Sequence, residues 1–246
     1  MSILDDAHCV LLVHAHPDDE TLSTGALILE LIERTKRVVL ATGSRGERGE
    51  IVASVRHLVG EGEEQLVAAR ERELHRALDV LGVSEHHMLG MPPARAAGLP
   101  ARRYRDSGMR WVAPGLAGPA LDVPQDALSL ADLDEVVGDL RALIDVVKPG
   151  LVISYDDNGG YGHPDHRRIR QAALLAAAQA SVVFAEIAQA PGPDVEWLEL
   201  SARLPTVQRA LRSHATQLTV DGDDVVHSGG QREPITTSVG LRRVSA

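Results

Sequence analysis

His16-Pro17-Asp18-Asp19-Glu20 and His163-Pro164-Asp165-His166 gather imidazoles and carboxylates at two points of a 246-residue chain. Neutral imidazole and carboxylate oxygen are good zinc ligands, and a catalytic zinc keeps three protein ligands while leaving a position for water. His16, Asp19 and His166 are the expected ligands. Asp18 is then free as a general base for water whose pKa the metal lowers to about 7. The attacked carbonyl needs a donor for its developing negative charge. His163 is the first candidate, with Asp165 expected to hold its ring protonated, and the Tyr161 hydroxyl is the second. The chemistry this set supports is metal-dependent hydrolysis at a carbonyl.

Plainer readings stand beside each assignment. Asp18, Asp19 and Glu20 open a helix, where the macrodipole favours negative charge, and Asp165 opens another. His14 falls on the same side of an extended chain as His16 and reads as a supporting or buried histidine rather than a fourth ligand. His8, His57, His75, His86, His87, His214 and His227 have no visible partner and read as solvated. Two histidines and a carboxylate also form the iron triad of oxygenases, although such an enzyme has no need of Asp18. In a third, non-catalytic reading, Arg102, Arg103 and Arg105 clasp an acidic ligand around a structural metal, but structural sites are usually closed by four protein ligands and only three are evident.

Each cluster follows an apolar run. Cys9-Val10-Leu11-Leu12-Val13 leads into the first. Leu151-Val152-Ile153-Ser154-Tyr155 leads into the second through Asp156-Asp157-Asn158-Gly159-Gly160-Tyr161-Gly162. Such runs suit strands of a parallel sheet covered on both faces. Ligands collect at the carboxyl ends of these strands where the strand order reverses, so the two clusters are expected to meet.

Helical spacing of Leu22, Ala26, Leu29 and Ile32 predicts a helix to about residue 35, and Val38 to Ala41 reads as the next strand. The loop Thr42 to Glu50 is glycine-rich but lacks a Gly-Lys-Ser/Thr ending, and reads as a wall of the same cleft rather than a nucleotide loop. A helical stripe from Leu66 to Leu81 ends at Gly82, a left-handed cap. Residues 86 to 91 suggest a short strand. Residues 92 to 128, rich in proline and without period, read as a long binding or disordered loop. Ser129 and Asp132 mark a helix start that Pro149-Gly150 stops. Residues 165 to 180 and 203 to 215 suit helices, and 182 to 185 a strand. Thr219-Val220 and Val225-Val226 flank a turn at Asp221-Gly222-Asp223, followed by a polar tail. Alternating strands and helices predict the α/β class: a mainly parallel sheet flanked by helices with a small C-terminal β extension, in a single domain over residues 1 to 246.

The chain has 44% hydrophobic and 24% charged residues, as ordinary globular proteins do. A formal charge of -10 and 2% aromatic content argue against nucleic-acid binding. With one cysteine, Cys9, no internal disulfide or cysteine-rich zinc site can form, and its place in the first strand marks a core residue. No run approaches a membrane span and no signal-peptide pattern is present, so a cytoplasmic enzyme is expected. A small-molecule substrate is the expected partner, and homo-oligomer formation is left open.

Ala15-His16-Pro17-Asp18-Asp19-Glu20 with His163-Pro164-Asp165-His166 resembles the signature of the zinc-dependent N-acetylglucosamine deacetylase superfamily. Asn158-Gly159-Gly160-Tyr161-Gly162, Arg105-Asp106-Ser107-Gly108-Met109 and His214-Ala215-Thr216-Gln217 are similar to its mycothiol-pathway members, the N-acetylglucosaminyl-inositol deacetylase and the mycothiol conjugate amidase. The resemblance implies a Rossmann-like fold, one Zn2+, with Fe2+ as an alternative, and removal of acetyl from an N-acetylglucosamine-type conjugate to give acetate and free amine. It also implies substrate contacts for Ser23, Glu50, Arg70, Asp106 and Met109, although a surface ion pair with Glu63 or Glu73 accounts for Arg70 equally well. Residues 181 to 213 look shorter than in the mycothiol deacetylases, and Arg48 stands where an acidic residue is expected. These departures leave a conjugate amidase, or a deacetylase of antibiotic amino sugars, as alternatives.

Overall fold

Alternate residues of a strand face opposite sides of its sheet, and all six residues of Cys9–His14 (β1) are buried. Such a strand must sit in the middle of a sheet covered on both faces. The computed structural model, which describes residues 2–245, places it there. The chain continues through α1 (Asp19–Glu33), β2 (Arg37–Thr42), α2 (Arg56–Val59), α3 (Glu63–Leu81) and β3 (Glu85–Met88). A hairpin of β4 (Met109–Ala113) and β5 (Leu116–Pro119) precedes α4 (Leu133–Val147), β6 (Leu151–Ser154), α5 (Gly159–Gly162), α6 (Pro164–Gln179) and β7 (Val183–Ala188). The rest comprises β8 (Glu196–Glu199), α7 (Leu204–Leu211), β9 (Leu218–Asp221), β10 (Asp224–His227), β11 (Arg232–Pro234) and β12 (Ser238–Val244).

Seven strands form the main sheet in the order β3-β2-β1-β6-β7-β12-β8. The first five are parallel, and β12 and β8 continue the sheet antiparallel. From β1 the chain steps outward to β2 and β3, then crosses by α4 to β6 on the other flank of β1. The strand order therefore reverses between β1 and β6, and a crevice opens at their carboxyl ends. Leu11 and Val13 pack with α4 and α6 through Leu140, Ile144 and Ile169. Val10 and Leu12 pack with α1 and α3 through Leu27, Leu31 and Leu74. Truncating one of these leucines to alanine costs roughly 2–5 kcal/mol. Cys9 lies buried in the first of these layers.

The helix ends follow the local chemistry. Gly82 closes α3 in the left-handed conformation at φ 82, and the Asp132 side chain caps α4 by accepting the Glu135 N–H. Ser129 lies in a 3₁₀ turn before that cap rather than at the helix start.

Three more expectations are corrected, and one strand is unforeseen. The stretch 92 to 128 is not featureless: it holds the β4–β5 hairpin, and buried Asp139 of α4 anchors it by accepting from Tyr104 Oη at 2.8 Å, Arg95 Nη1 at 2.9 Å and Ala96 N at 2.8 Å. The polar tail contains β12, whose Val239, Gly240 and Leu241 are buried while the following Arg242 bonds Glu186. The strand β8, paired with β12, has no counterpart among the expected elements. α7 stops at Leu211, short of residue 215. The antiparallel sheet of β9, β10 and β11 forms the expected C-terminal extension. No helix among the described residues is long and apolar enough to cross a membrane.

Candidate functional site

At the exit of β1 the chain turns through Ala15 to Asp18 into α1. The Ala15 N–H donates to Tyr155 Oη at 2.8 Å, and the His16 N–H to Asp19 Oδ2 at 2.9 Å. Asp18 occupies φ 101, a region closed to most side chains. Its N–H donates to Glu20 Oε2 at 2.9 Å, and its carbonyl accepts from Thr21 and Leu22 to start the helix. At the exit of β6, Gly159 sits at φ +68, where an added Cβ would lie 2.8 Å from His166 Cβ. Only glycine lets this turn press against the histidine.

The two turns bring His16, Asp19 and His166 together. His16 Nδ1 and His166 Nε2 are 3.2 Å apart. Asp19 Oδ2 is 3.3 Å from each of these nitrogens. An equilateral triangle of this size matches the donor spacing of about 3.3 Å on a tetrahedral ion with bonds of roughly 2.0–2.1 Å. Each imidazole turns its other nitrogen to an acceptor: His166 Nδ1 to Gly159 O at 3.1 Å, and His16 Nε2 to Asp165 Oδ2 at 3.1 Å. That arrangement leaves an unprotonated nitrogen on the triangle, as metal ligation requires.

The charge around the triangle is also that of a cation site. Asp19, Asp106 and Asp165 are all buried. Among the described residues their side chains meet imidazoles but no Lys or Arg side chain. Buried charge of one sign needs a compensating charge, which a divalent ion held by these donors could supply.

Asp165 departs from expectation. Its carboxylate accepts from Ser107 N at 2.8 Å and Ser129 N at 2.7 Å and faces His16, not His163. The reason is its place in the first turn of α6, where its own N–H donates to His163 Nδ1 at 3.2 Å while the side chain reaches across to the β1 turn. That contact makes Nδ1 the acceptor of His163 and puts the ring proton on Nε2. Burial, then the neighbouring His16 and His166, hold His163 well below the usual imidazole range, so the ring is neutral rather than protonated. Asp106 sits 3.6 Å from His16 Nε2. Its carboxylate also accepts the Gly108 and Arg48 N–H groups, so it belongs to the shell of His16.

Two supporting groups take roles that the sequence did not give them. Tyr155 donates to Asp19 Oδ2 at 2.7 Å, and its ring stacks on His166 at 4.1 Å. His214, expected in solvent, is fully buried with its Nε2 2.9 Å from Glu20 Oε1. Burial, the largest single influence, opposes charge on both partners, but the partner's opposite charge and the hydrogen bonds together outweigh it, raising His214 and lowering Glu20. Gln217 donates to Pro17 O at 2.9 Å, so residues 214 to 217 grip the turn that carries Asp18. Burial and then the Asp19 charge push the Asp18 carboxyl up to about 7. His14 is buried and bonds Thr24 Oγ1 at 2.9 Å, in the supporting place expected of it.

A family model described as GlcNAc-PI de-N-acetylase matches residues 11–177, a span that holds both clusters and the switch between β1 and β6. The chain belongs to the GlcNAc-PI de-N-acetylase family. The 1D-myo-inositol 2-acetamido-2-deoxy-alpha-D-glucopyranoside deacetylase of Kineococcus radiotolerans is 34% identical, covering 94% of this chain and 76% of that protein. A protein of the same name from Nocardioides sp. is 39% identical over 87% of this chain and 70% of its own length. Among solved structures, the N,N'-diacetylchitobiose deacetylase from Pyrococcus horikoshii superposes with a TM-score of 0.62 at 20% identity, covering 86% of this chain and 71% of that one. The 4-carboxy-2-hydroxymuconate hydratase from Pseudomonas putida shares the fold at a TM-score of 0.57 and 19% identity, over 97% of this chain and 96% of that one. The fold alone therefore does not select deacetylation.

In this member of the family the remaining expected residues fall on different elements. Arg70 is not on the surface: it is 2% exposed and donates to the carbonyls of Gly46 and Glu50, fixing the loop after β2. Glu50 itself is exposed, while Ser23 on α1 and Met109 at the start of β4 are half-buried. Tyr161 is exposed, with its ring 5.2 Å from that of His166 and 6.1 Å from that of His163.

Proposed function

We propose that this enzyme is a zinc-dependent N-deacetylase, a single domain over residues 1 to 246, that removes acetyl from an N-acetylglucosaminyl-inositol-type conjugate. The observation that carries the reading is the triangle of His16, Asp19 and His166, with Asp18 and His163 beside it. These three residues hold the ion; iron(II) suits the same donors, and zinc is the reading the tetrahedral spacing favours. Bound zinc lowers the pKa of water and polarises a carbonyl oxygen.

The chain's own groups carry the protons. Asp18 takes one from the attacking water and returns it to the departing nitrogen, which leaves as the free amine with acetate as co-product. His163 Nε2–H hydrogen-bonds the carbonyl oxygen as it gains charge, and the Tyr161 hydroxyl assists from the open side. Asp165 and Asp106 orient His16. Ser23, Glu50, Asp106 and Met109 are the proposed contacts for the sugar and its aglycone, with Arg70 acting through the loop it fixes.

Acetate release from N-acetylglucosaminyl-inositol by the purified protein tests this. Dipicolinate treatment is expected to abolish release and zinc to restore it. Turnover indifferent to chelation, or no acetate from the zinc-loaded protein, overturns the proposal. Faster cleavage of a mycothiol conjugate would reassign the substrate to the amidase class.

A further inference from the structure

The chain is poor in aromatics, with two Trp, three Tyr and one Phe. Tyr104, Tyr155 and Phe184 are buried and Trp197 is half-buried. The two exposed ones, Trp111 at 46% and Tyr161 at 40%, touch each other, with ring centroids 5.8 Å apart. Tyr161 is in turn 5.2 Å from His166. Laid end to end, these separations put the indole no farther from the donor triangle than about two sugar rings span. Leu116, 49% exposed and packed beside Gly162, extends the apolar surface.

The hairpin that carries Trp111 is fixed relative to the site. Just before β4, the Ser107 N–H donates to Asp165 Oδ2 at 2.8 Å and the Gly108 N–H to Asp106 Oδ1 at 2.7 Å, the same carboxylates that face His16. Across the site, Gly162 has φ +96, and an added Cβ would lie 2.9 Å from Ala117 O, so β5 rests directly on α5. The pairing of β4 with β5 shifts register between Trp111 and Ala113. Bulges of this kind re-aim side chains beside active sites.

Building on the deacetylase reading, we propose that Trp111, braced by the Tyr161 ring, forms an aromatic platform for the substrate's aglycone, selecting a saturated ring with an apolar C–H face, such as a cyclitol or second sugar. With the scissile amide at the donor triangle, the glucosamine ring spans the first part of the distance and the aglycone falls over the indole. The platform's side chains are uncharged, so an acidic or flexible acyclic aglycone gains less there.

The test is the ratio of kcat/KM for cyclohexyl N-acetylglucosaminide to that for free N-acetylglucosamine, in zinc-loaded wild type, Trp111→Ala and Trp111→Phe, with a glycerol glycoside as the acyclic arm. The expected ratio falls about tenfold in Trp111→Ala, the equivalent of one aromatic stacking contact of roughly 1.4 kcal/mol. Trp111→Phe restores most of it, and the glycerol arm shows little change. A Trp111→Ala ratio within twofold of wild type, or an equal fall with the glycerol glycoside, overturns the platform. If neither sugar is turned over, the deacetylase reading fails and the platform is tested by binding. In Trp197→Phe, Trp111 is the only indole. Saturable change in its emission with cyclohexyl glucosaminide supports the platform, and unchanged emission rejects it.

Discussion

Replacing His214 with Gln measures how much of Asp18's placement depends on the buried pair beneath it. His214 Nε2 lies 2.9 Å from Glu20 Oε1 with both side chains fully buried. Glu20 Oε2 accepts the N–H of Asp18, which is held at φ 101. A hydrogen bond to a charged group contributes roughly 1.5–3 kcal/mol, similar to the roughly 1–3 kcal/mol stored by a side-chain-bearing residue in such a conformation. The two nearly balance, so losing the imidazolium lets Glu20 shift and the turn relax. A loss of about 1.4–2.8 kcal/mol corresponds to about 10- to 100-fold fewer molecules with Asp18 in place. The expected result is a fall in kcat of that size. KM stays within about twofold and zinc affinity is little changed, because His214 contacts none of the three donors. Acetate release is assayed at saturating zinc for wild type, His214→Gln, Asp18→Asn and the double variant. Acting through Asp18, His214→Gln produces no further loss in the Asp18→Asn background. A multiplicative loss in the double variant, or a near-native kcat in the single one, refutes the reasoning.

Tyr155→Phe removes the hydroxyl that donates to Asp19 Oδ2; zinc affinity, measured by chelator competition, is expected to weaken about 10- to 100-fold, and an unchanged affinity rejects the orienting role. Asp139→Ala leaves Arg95 without one of its two carboxylate partners and frees the segment that leads to Asp106; urea unfolding should show a loss of about 3 kcal/mol, and a loss under 1 kcal/mol would contradict it. Burial pushes the His14 imidazole down to about 4 from an ordinary 6.5. Between those values the unfolded chain binds a proton that the folded one refuses, so stability falls as pH drops from 6.5 towards 4, by up to about 3 kcal/mol. In zinc-free protein the wild-type urea midpoint should drop more steeply across that window than that of His14→Gln; parallel curves exclude His14 as the cause.

The central strands were legible because both of their faces are buried. Cys9 to Val13 and Leu151 to Ile153 are unbroken apolar runs, and burial on two sides leaves no other composition. The α3 stripe was legible for the analogous reason on a helix, with Gly82 marking its end. β12 was not, because its buried stretch is only Val239-Gly240-Leu241, flanked by Ser238 and by the exposed Arg242 and Arg243 near the edge of the sheet. The β4–β5 hairpin was hidden for the opposite reason: Trp111 and Val112 are apolar but exposed, so no burial pattern distinguishes them from loop residues.

Within the site, the clusters named the residues that meet but not which partner each one faces. Asp165 lies two residues from His163, yet it serves His16, because a side chain in the first turn of a helix points back past the helix start rather than along the chain. Proximity in sequence was the wrong guide there, and distance was equally misleading for His214, which reaches Glu20 from outside the span that the family model matches. The grip on Asp18 depends on residues 214 to 217 being returned to α1 by α7, whose Val207 and Leu211 pack with Ala26. The donor triangle can form from the β1 and β6 turns alone. Holding a carboxylate at a strained backbone angle beside it requires a second, buried layer of charge. That layer comes from a part of the chain that the sequence marks only through the resemblance of His214-Ala215-Thr216-Gln217, with no spacing that names its partner.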